Sequence, residues 1–198
     1  MTQQILVING GNAFETHEEY IQNLKNREVT LEKMVAKSWK DNLADALGGN
    51  YQVLIPKMPN ARNARYAEWK IMFEKIIPLL DDNVIIIGHS LGGIFTAKYL
   101  SENVSSRKIK AVYLVAAPYN TPTKHPLVDF NIIKSLDGLA KQVKTIFIYQ
   151  SKDDKVVPFS NCKDYVKELL QATLRVFDDR KHFDQPTFPE IVEDIRAL

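Results

Sequence analysis

With 198 residues, 45% of them hydrophobic and 25% charged, the chain has the length and composition of one globular domain over residues 1–198. Its 26 basic and 24 acidic residues nearly cancel, and no basic stripe interleaved with aromatics occurs, so nucleic acid is not an expected partner. A single cysteine, Cys162, rules out an internal disulfide and a cysteine-based metal site, which fits a reducing, cytoplasmic location. The opening "MTQQILVING" has no basic n-region and only four consecutive apolar residues, too few for a signal-peptide core. No apolar run approaches the ~18 residues needed to cross a bilayer, so no membrane association is expected.

In chain order, "QILVIN" (4–9) is the first predicted strand. A helix is predicted over 30–47 from apolar residues at Leu31, Met34, Val35, Trp39, Leu43 and Leu47, stopped by Gly48-Gly49. Strands follow at 51–56, 83–88, 110–117, 144–149 and 173–177. Helical segments at 64–80, 91–103, 131–142, 159–171 and 188–198 alternate with them. Several strands are apolar throughout, as in a parallel sheet covered on both faces. The alternation predicts an α/β fold with an open, mostly parallel, six-stranded doubly wound sheet. In such a sheet ligands bind beyond the carboxyl ends of the strands.

One strand-to-helix junction stands out. "VIIIGHSLGGIF" (84–95) places three of the chain's 8 glycines within six positions around Ser90. Gly88, Ser90 and Gly92 form Gly-x-Ser-x-Gly, the nucleophile elbow, in which a sharp turn lifts the serine hydroxyl clear of the sheet edge. Side chains two residues either side of the serine would collide across that turn. Random order would give only roughly 0.01 such matches in a chain of this composition, and the strand before and helix after agree with the functional reading. Gly93 is read as a close helix-to-strand contact, and His89 as a structural residue under the turn.

A serine nucleophile needs a base, usually histidine, oriented by a carboxylate. On this architecture the order is serine, then acid, then histidine. Of His17, His89, His125 and His182, only His182 follows a late carboxylate and falls between the sixth strand and the last helix. His125 is read as a pocket wall, and His17 as a residue that could line the cleft. Asp153 and Asp154 both leave the fifth strand in "YQSKDDKVVPF", where a plain turn role is the competing explanation. The oxyanion hole would use the backbone N–H of Leu91 and one from "NGGNAF" (9–14), with Gly11 preferred and Asn12 as the alternative. A dinucleotide-binding reading of that loop lacks both the Gly-x-Gly-x-x-Gly spacing and a phosphate-binding lysine.

These features together resemble the α/β-hydrolase superfamily, and more narrowly the small serine-hydrolase family of YdeN-type bacterial proteins and the retinoblastoma-binding hydrolase of animals. "LIPKMPNARNARYAEWK", ending at Trp69, is similar to that family's Pro-x-Met-Pro…Trp segment, with Trp69 as a packing residue. "SKDDKVVPF" and His182-Phe183 extend the match. The resemblance implies Ser90 as nucleophile, Asp154 as acid within Asp-x-x-[Val/Leu]-Pro, and His182 as base. Two positions depart from the pattern: "NGGN" stands where relatives have His-Gly, and Lys181 stands where glycine is common. Relatives also carry a tryptophan soon after the first strand, whereas "SWKDNLADAL" begins only at Ser38, so residues 15–35 look inserted and could form a helical lid.

The expected activity is hydrolysis of a small apolar carboxylic ester, or a thioester or amide, through an acyl-enzyme, without metal or organic cofactor. Phe14, Tyr119, Phe159 and Phe183 are the candidate substrate contacts. The alternative is a protein-binding module on a hydrolase fold, with a protein partner in place of a small-molecule substrate.

Overall fold

The computed structural model describes residues 2–120 and 123–198. Six strands form one sheet: β1 (Gln3–Ile8), β2 (Tyr51–Leu54), β3 (Val84–His89), β4 (Ile109–Val115), β5 (Thr145–Ser151) and β6 (Thr173–Phe177). Every neighbouring pair is parallel, in the order β2-β1-β3-β4-β5-β6, as the sequence predicts for an α/β-hydrolase sheet. The helices are α1 (His17–Asn26), α2 (Leu31–Val35), α3 (Trp39–Leu47), α4 (Tyr66–Ile76), α5 (Leu91–Glu102), α6 (Asp137–Gln142), α7 (Ser160–Glu168) and α8 (Pro189–Arg196).

The central strands are apolar throughout because both faces are covered. Successive side chains on a strand point to opposite faces. Leu6 and Ile8 of β1, with Val84 and Ile86 of β3, pack toward Trp69 and Phe73 of α4 and Phe95 of α5. Ile5, Val7, Ile85 and Ile87 meet Trp39 and Leu43 of α3 and Ile191 of α8 on the other face. Trp69 is fully buried, its ring against Phe95 and Phe130 at 5.5 and 5.3 Å, and its Nε1 donates to the Pro59 carbonyl at 2.8 Å.

Several expected elements end early, β2 at Leu54 and α7 at Glu168 among them, and three departures have a visible cause. The helix expected over 30–47 is two helices, because Ser38 starts a new one. The Asp41 carboxylate accepts from the Ser38 backbone N–H at 2.8 Å and from its hydroxyl at 2.9 Å, a capping arrangement that resets the chain direction. Leu31, Met34 and Val35 are consequently exposed, whereas Trp39, Leu43 and Leu47 are buried. The helix expected over 131–142 is confined to α6. Before it, side chains replace the helical ladder: Asn120 Oδ1 accepts from Ile132 N–H at 2.8 Å and Glu168 from Leu136 N–H at 2.7 Å. The strand expected to reach residue 117 stops at Val115, since Ala116 turns to a positive φ of 45°.

The chain runs from β1 outward to β2 and then back across to β3, so the order reverses beside β1. The loop after β1 and the turn after β3 therefore open a crevice at their carboxyl ends. Among the described residues no helix is long and apolar enough to cross a membrane.

The packing of α4 yields a stability prediction. Trp69→Ala should cost about 3–5 kcal/mol in chemical denaturation. Ile71→Ala on the same helix, at a residue 58% exposed, should stay within about 0.5 kcal/mol of wild type. Equal effects would contradict the assignment of α4's buried face.

Candidate active site

Ser90 lies one residue beyond β3, with φ 55° and ψ −125°, a backbone conformation that side chains rarely tolerate. Its N–H donates to the Val115 carbonyl of β4 at 2.9 Å, fixing the turn to the sheet. A Cβ at Gly88 would stand 2.6 Å from the Gly92 carbonyl oxygen, so glycine is required before the serine for the reason the motif implies. The requirement at Gly92 has another origin than a collision across the turn. A Cβ there would overlap the Ile8 carbonyl oxygen, because α5 begins hard against the end of β1.

Asp154 follows β5 and His182 follows β6, so both reach the crevice from neighbouring strand ends. The structure brings all three side chains into line. His182 Nε2 is 2.9 Å from Ser90 Oγ, and His182 Nδ1 is 2.9 Å from Asp154 Oδ2. A carboxylate only accepts, so Nδ1 carries the imidazole proton and Nε2 presents its lone pair to the serine hydroxyl. The other Asp154 oxygen accepts the backbone N–H groups of Val156 and Val157 at 2.7 and 3.0 Å. Those bonds hold the carboxylate in place.

Asp153 points elsewhere. Its Oδ1 accepts from the Lys181 backbone N–H at 2.8 Å and from the Ser151 hydroxyl at 2.5 Å. The Ser151 and Lys181 bonds depress its pKa, burial opposing them. Asp153 thereby ties down the loop that carries the histidine. That loop is strained on both sides of His182, with φ 48° at Lys181 and 57° at Phe183. Glycine would adopt the Lys181 conformation without penalty, which explains its frequency there in the resembling pattern.

The first turn of α3 holds the same loop from the opposite side. Trp39 donates its backbone N–H to Gln185 O at 2.8 Å and its Nε1 to Phe183 O at 2.9 Å, and Asn42 donates to Pro186 O at 3.0 Å. His89, buried directly before the serine, joins this support. Its Nε2 is 2.8 Å from the His182 carbonyl oxygen and its Nδ1 is 3.1 Å from Lys40 Nζ. Burial, and then the Lys40 and His182 charges, push the His89 pKa well below the ordinary imidazole value, so its ring is neutral. Burial also lowers the Lys40 pKa, against the opposing pull of Asp184 and Asp41.

A cavity of about 450 Å³ opens over Ser90, and Gly11, Asn12, Leu91 and His125 are among its lining residues. Leu91 begins α5, where a first-turn N–H has no intrahelical acceptor. Asn12 donates its N–H to Ala61 O at 2.9 Å, so the alternative to Gly11 is already engaged. The aromatic substrate contacts expected from the sequence are not on this lining. Phe183 is fully buried against Phe177 and Phe188, at a residue with positive φ. The Tyr119 hydroxyl donates to Glu168, Phe159 packs at the edge of the core on the α4 and α5 face, and Phe14 stands behind His125 with ring centroids 6.3 Å apart. The cavity is lined instead by Pro118, Leu127, Val156 and Val157 on the loops after β4 and β5, together with Lys40, Arg62 and Asp184.

Sequence reasoning also missed Gly10, where a Cβ would sit 2.8 Å from Ser90 Cβ and 3.4 Å from its Oγ. The paired glycines at the end of β1 were the available signal. Lys40 carried none, being one of many lysines on a helix distant in sequence.

Comparison with known proteins gives the family. The family model described as serine hydrolase matches residues 31–187. Serine hydrolase RBBP9 of Rattus norvegicus is 26% identical over 151 residues, covering 75% of this chain and 78% of the relative. The hydrolase YdeN of Bacillus subtilis is 27% identical over 179 residues, covering 89% and 84%. The crystal structure of the B. subtilis ydeN gene product superposes with a TM-score of 0.71 at 21% identity, covering 99% of this chain and 98% of that one. A meta-cleavage product hydrolase of Pseudomonas fluorescens IP01 shares the fold more distantly, with a TM-score of 0.65 at 16% identity over 98% and 88% of the two chains. A serine on a glycine-flanked turn, a match over most of the length and relatives of the same description together place the chain in the serine hydrolase family.

Proposed function

We propose that the protein hydrolyses a small carboxylic ester through an acyl-enzyme on Ser90. The observation that carries this reading is the unbroken line from Ser90 Oγ through the His182 ring to Asp154, with 2.9 Å at each step. His182 Nε2 takes the hydroxyl proton as Oγ attacks the ester carbonyl, and Asp154 stabilises the imidazolium that forms. The Leu91 and Gly11 N–H groups are the proposed donors to the developing oxyanion. His182 returns its proton to the leaving alcohol, then draws one from the water that attacks the acyl carbonyl and passes it to Ser90 Oγ as the C–Oγ bond breaks and the acid leaves.

Pro118, Leu127, Val156 and Val157 offer an aliphatic wall suited to a short acyl chain, while Lys40, Arg62 and Asp184 make the remaining mouth polar. A purely protein-binding role would not require three side chains held in hydrogen-bond line. Thioester and amide substrates would use the same groups.

The insertion supplies the proposed lid. Tyr20 of α1 meets Phe14 at 5.8 Å, and His17 and Tyr20 line a neighbouring cavity of about 530 Å³. Arg62 borders that cavity and the one over Ser90. No residue of α1 or α2 is buried, so the insertion is held by few contacts.

Ser90→Ala should abolish turnover of p-nitrophenyl acetate while leaving circular dichroism unchanged, and retained wild-type turnover would reject the nucleophile. Asp154→Asn should lower kcat by up to ~10⁴, the loss seen in serine proteases when the orienting carboxylate is replaced. Asp153→Asn keeps an acceptor for Lys181 and should cost far less. The reverse ranking in folded variants would move the acid to Asp153. Tyr20→Ala should widen the preference from acetyl toward longer acyl esters. An unchanged chain-length profile would remove the lid from the account.

A further inference from the structure

The proposed triad explains Ser90, His182 and Asp154 but not what the half-buried Lys40 and the buried His89 beside them do for the reaction. Lys40 Nζ lies 3.1 Å from His89 Nδ1, and His89 Nε2 lies 2.8 Å from the backbone carbonyl oxygen of His182 itself. A carbonyl oxygen only accepts, so the proton of the neutral His89 ring is on Nε2 and its lone pair on Nδ1 faces the ammonium. The two contacts grip the ring from opposite edges. The Trp39 ring stands edge-on to His89 at 6.5 Å, and Lys40 Nζ lies 5.5 Å from a Trp39 ring centroid, so the same first turn of α3 carries the grip.

The carbonyl so held belongs to a residue flanked by two left-handed positions, at Lys181 and Phe183. A loop forced through such backbone angles keeps its course only while its surroundings fix it. Asp153 holds the residue before His182, and Trp39 holds the residue after it. Only the His89 contact reaches the histidine's own peptide group among these. We infer that His89 is a positioning residue for the base, oriented in turn by Lys40. The inference rests on the Ser90 hydrolase reading and extends it to residues outside the triad.

A positioning role predicts a loss in kcat with KM little changed, because the substrate walls stay where they are while the base loses alignment. Misplacement by about 1 Å can cost about 10²-fold in rate. His89→Leu removes the donor and should lower kcat by about that factor on p-nitrophenyl acetate. His89→Gln places an amide N–H at similar reach and should recover at least about tenfold over His89→Leu. Lys40→Met should cost a few-fold in the wild-type background, since the freed imidazole can take a second proton or move its proton to Nδ1. In the His89→Gln background the same change should cost little in kcat, because an amide can do neither, whereas any effect of Lys40 as a cavity wall falls on KM in both backgrounds alike.

The comparison is made on purified full chains with matched circular dichroism, alongside wild type labelled by a fluorophosphonate. A Leu variant within about twofold of wild type in kcat, a Gln variant no better than Leu, or a Lys40→Met loss in kcat of equal size in both backgrounds would overturn the inference while leaving Ser90 as the nucleophile. Should His89→Leu fail to fold, the two Lys40→Met backgrounds decide the matter alone. Absence of labelling and turnover in wild type would instead overturn the hydrolase reading, and the positioning role with it.

Discussion

The architecture depends on forcing one non-glycine residue, Ser90, through a backbone conformation of positive φ at the centre of a parallel sheet. That strain, of order 1–3 kcal/mol, persists only because the surroundings over-determine it. The Ser90 N–H is bound to β4, Gly88 leaves room for the Gly92 carbonyl, and α5 starts against the last carbonyls of β1. Strand order follows the same need. With β1 and β4 on either side of β3, the turn has a rigid strand end on each flank and an open crevice above.

The histidine loop presents the complementary problem. It leaves an edge strand, β6, and carries positive φ at Lys181 and Phe183, so its own sequence does little to hold it. Support comes from three separate places: Asp153 after β5, the first turn of α3 and His89 beside the serine. The proposed nucleophile and base are thus tied together twice, through Oγ to Nε2 and through the backbone of residue 182. Loops anchored in this way can be strained and still hold a proton acceptor at fixed distance, which is what positioned catalysis requires.

How much of this was legible follows from where the information sits. The inner strands were readable because burial on both faces makes runs such as Val84–Ile87 apolar, whereas the partly exposed edge strands β2 and β6 showed only β-branched and aromatic residues between turn signals. The Ser90 turn was readable because its steric demand appears directly as glycine. The order of Asp154 and His182 along the chain reflects the order of strand ends, and the structure brings both to Ser90. Of the cavity wall, His125, Gly11, Asn12 and Leu91 were legible, but the aliphatic lining was not. Phe183 packs into the core instead of facing the cavity, and it does so at a positive φ that the residue type does not signal. The break between α2 and α3 was hidden because Leu31 and Met34 continue the apolar spacing of Trp39 and Leu43 while being exposed. Lys40 was invisible because its meaning comes only from contact with His89.

The central claim is that Ser90, and no other residue, is the group activated by this arrangement. It is tested most directly by treating the wild-type chain with a fluorophosphonate and reading intact and peptide mass spectra. A single adduct per chain, on the peptide carrying Ser90 and absent after heat denaturation before treatment, is the result the account predicts. No adduct on folded protein, or an adduct on another residue, would contradict it.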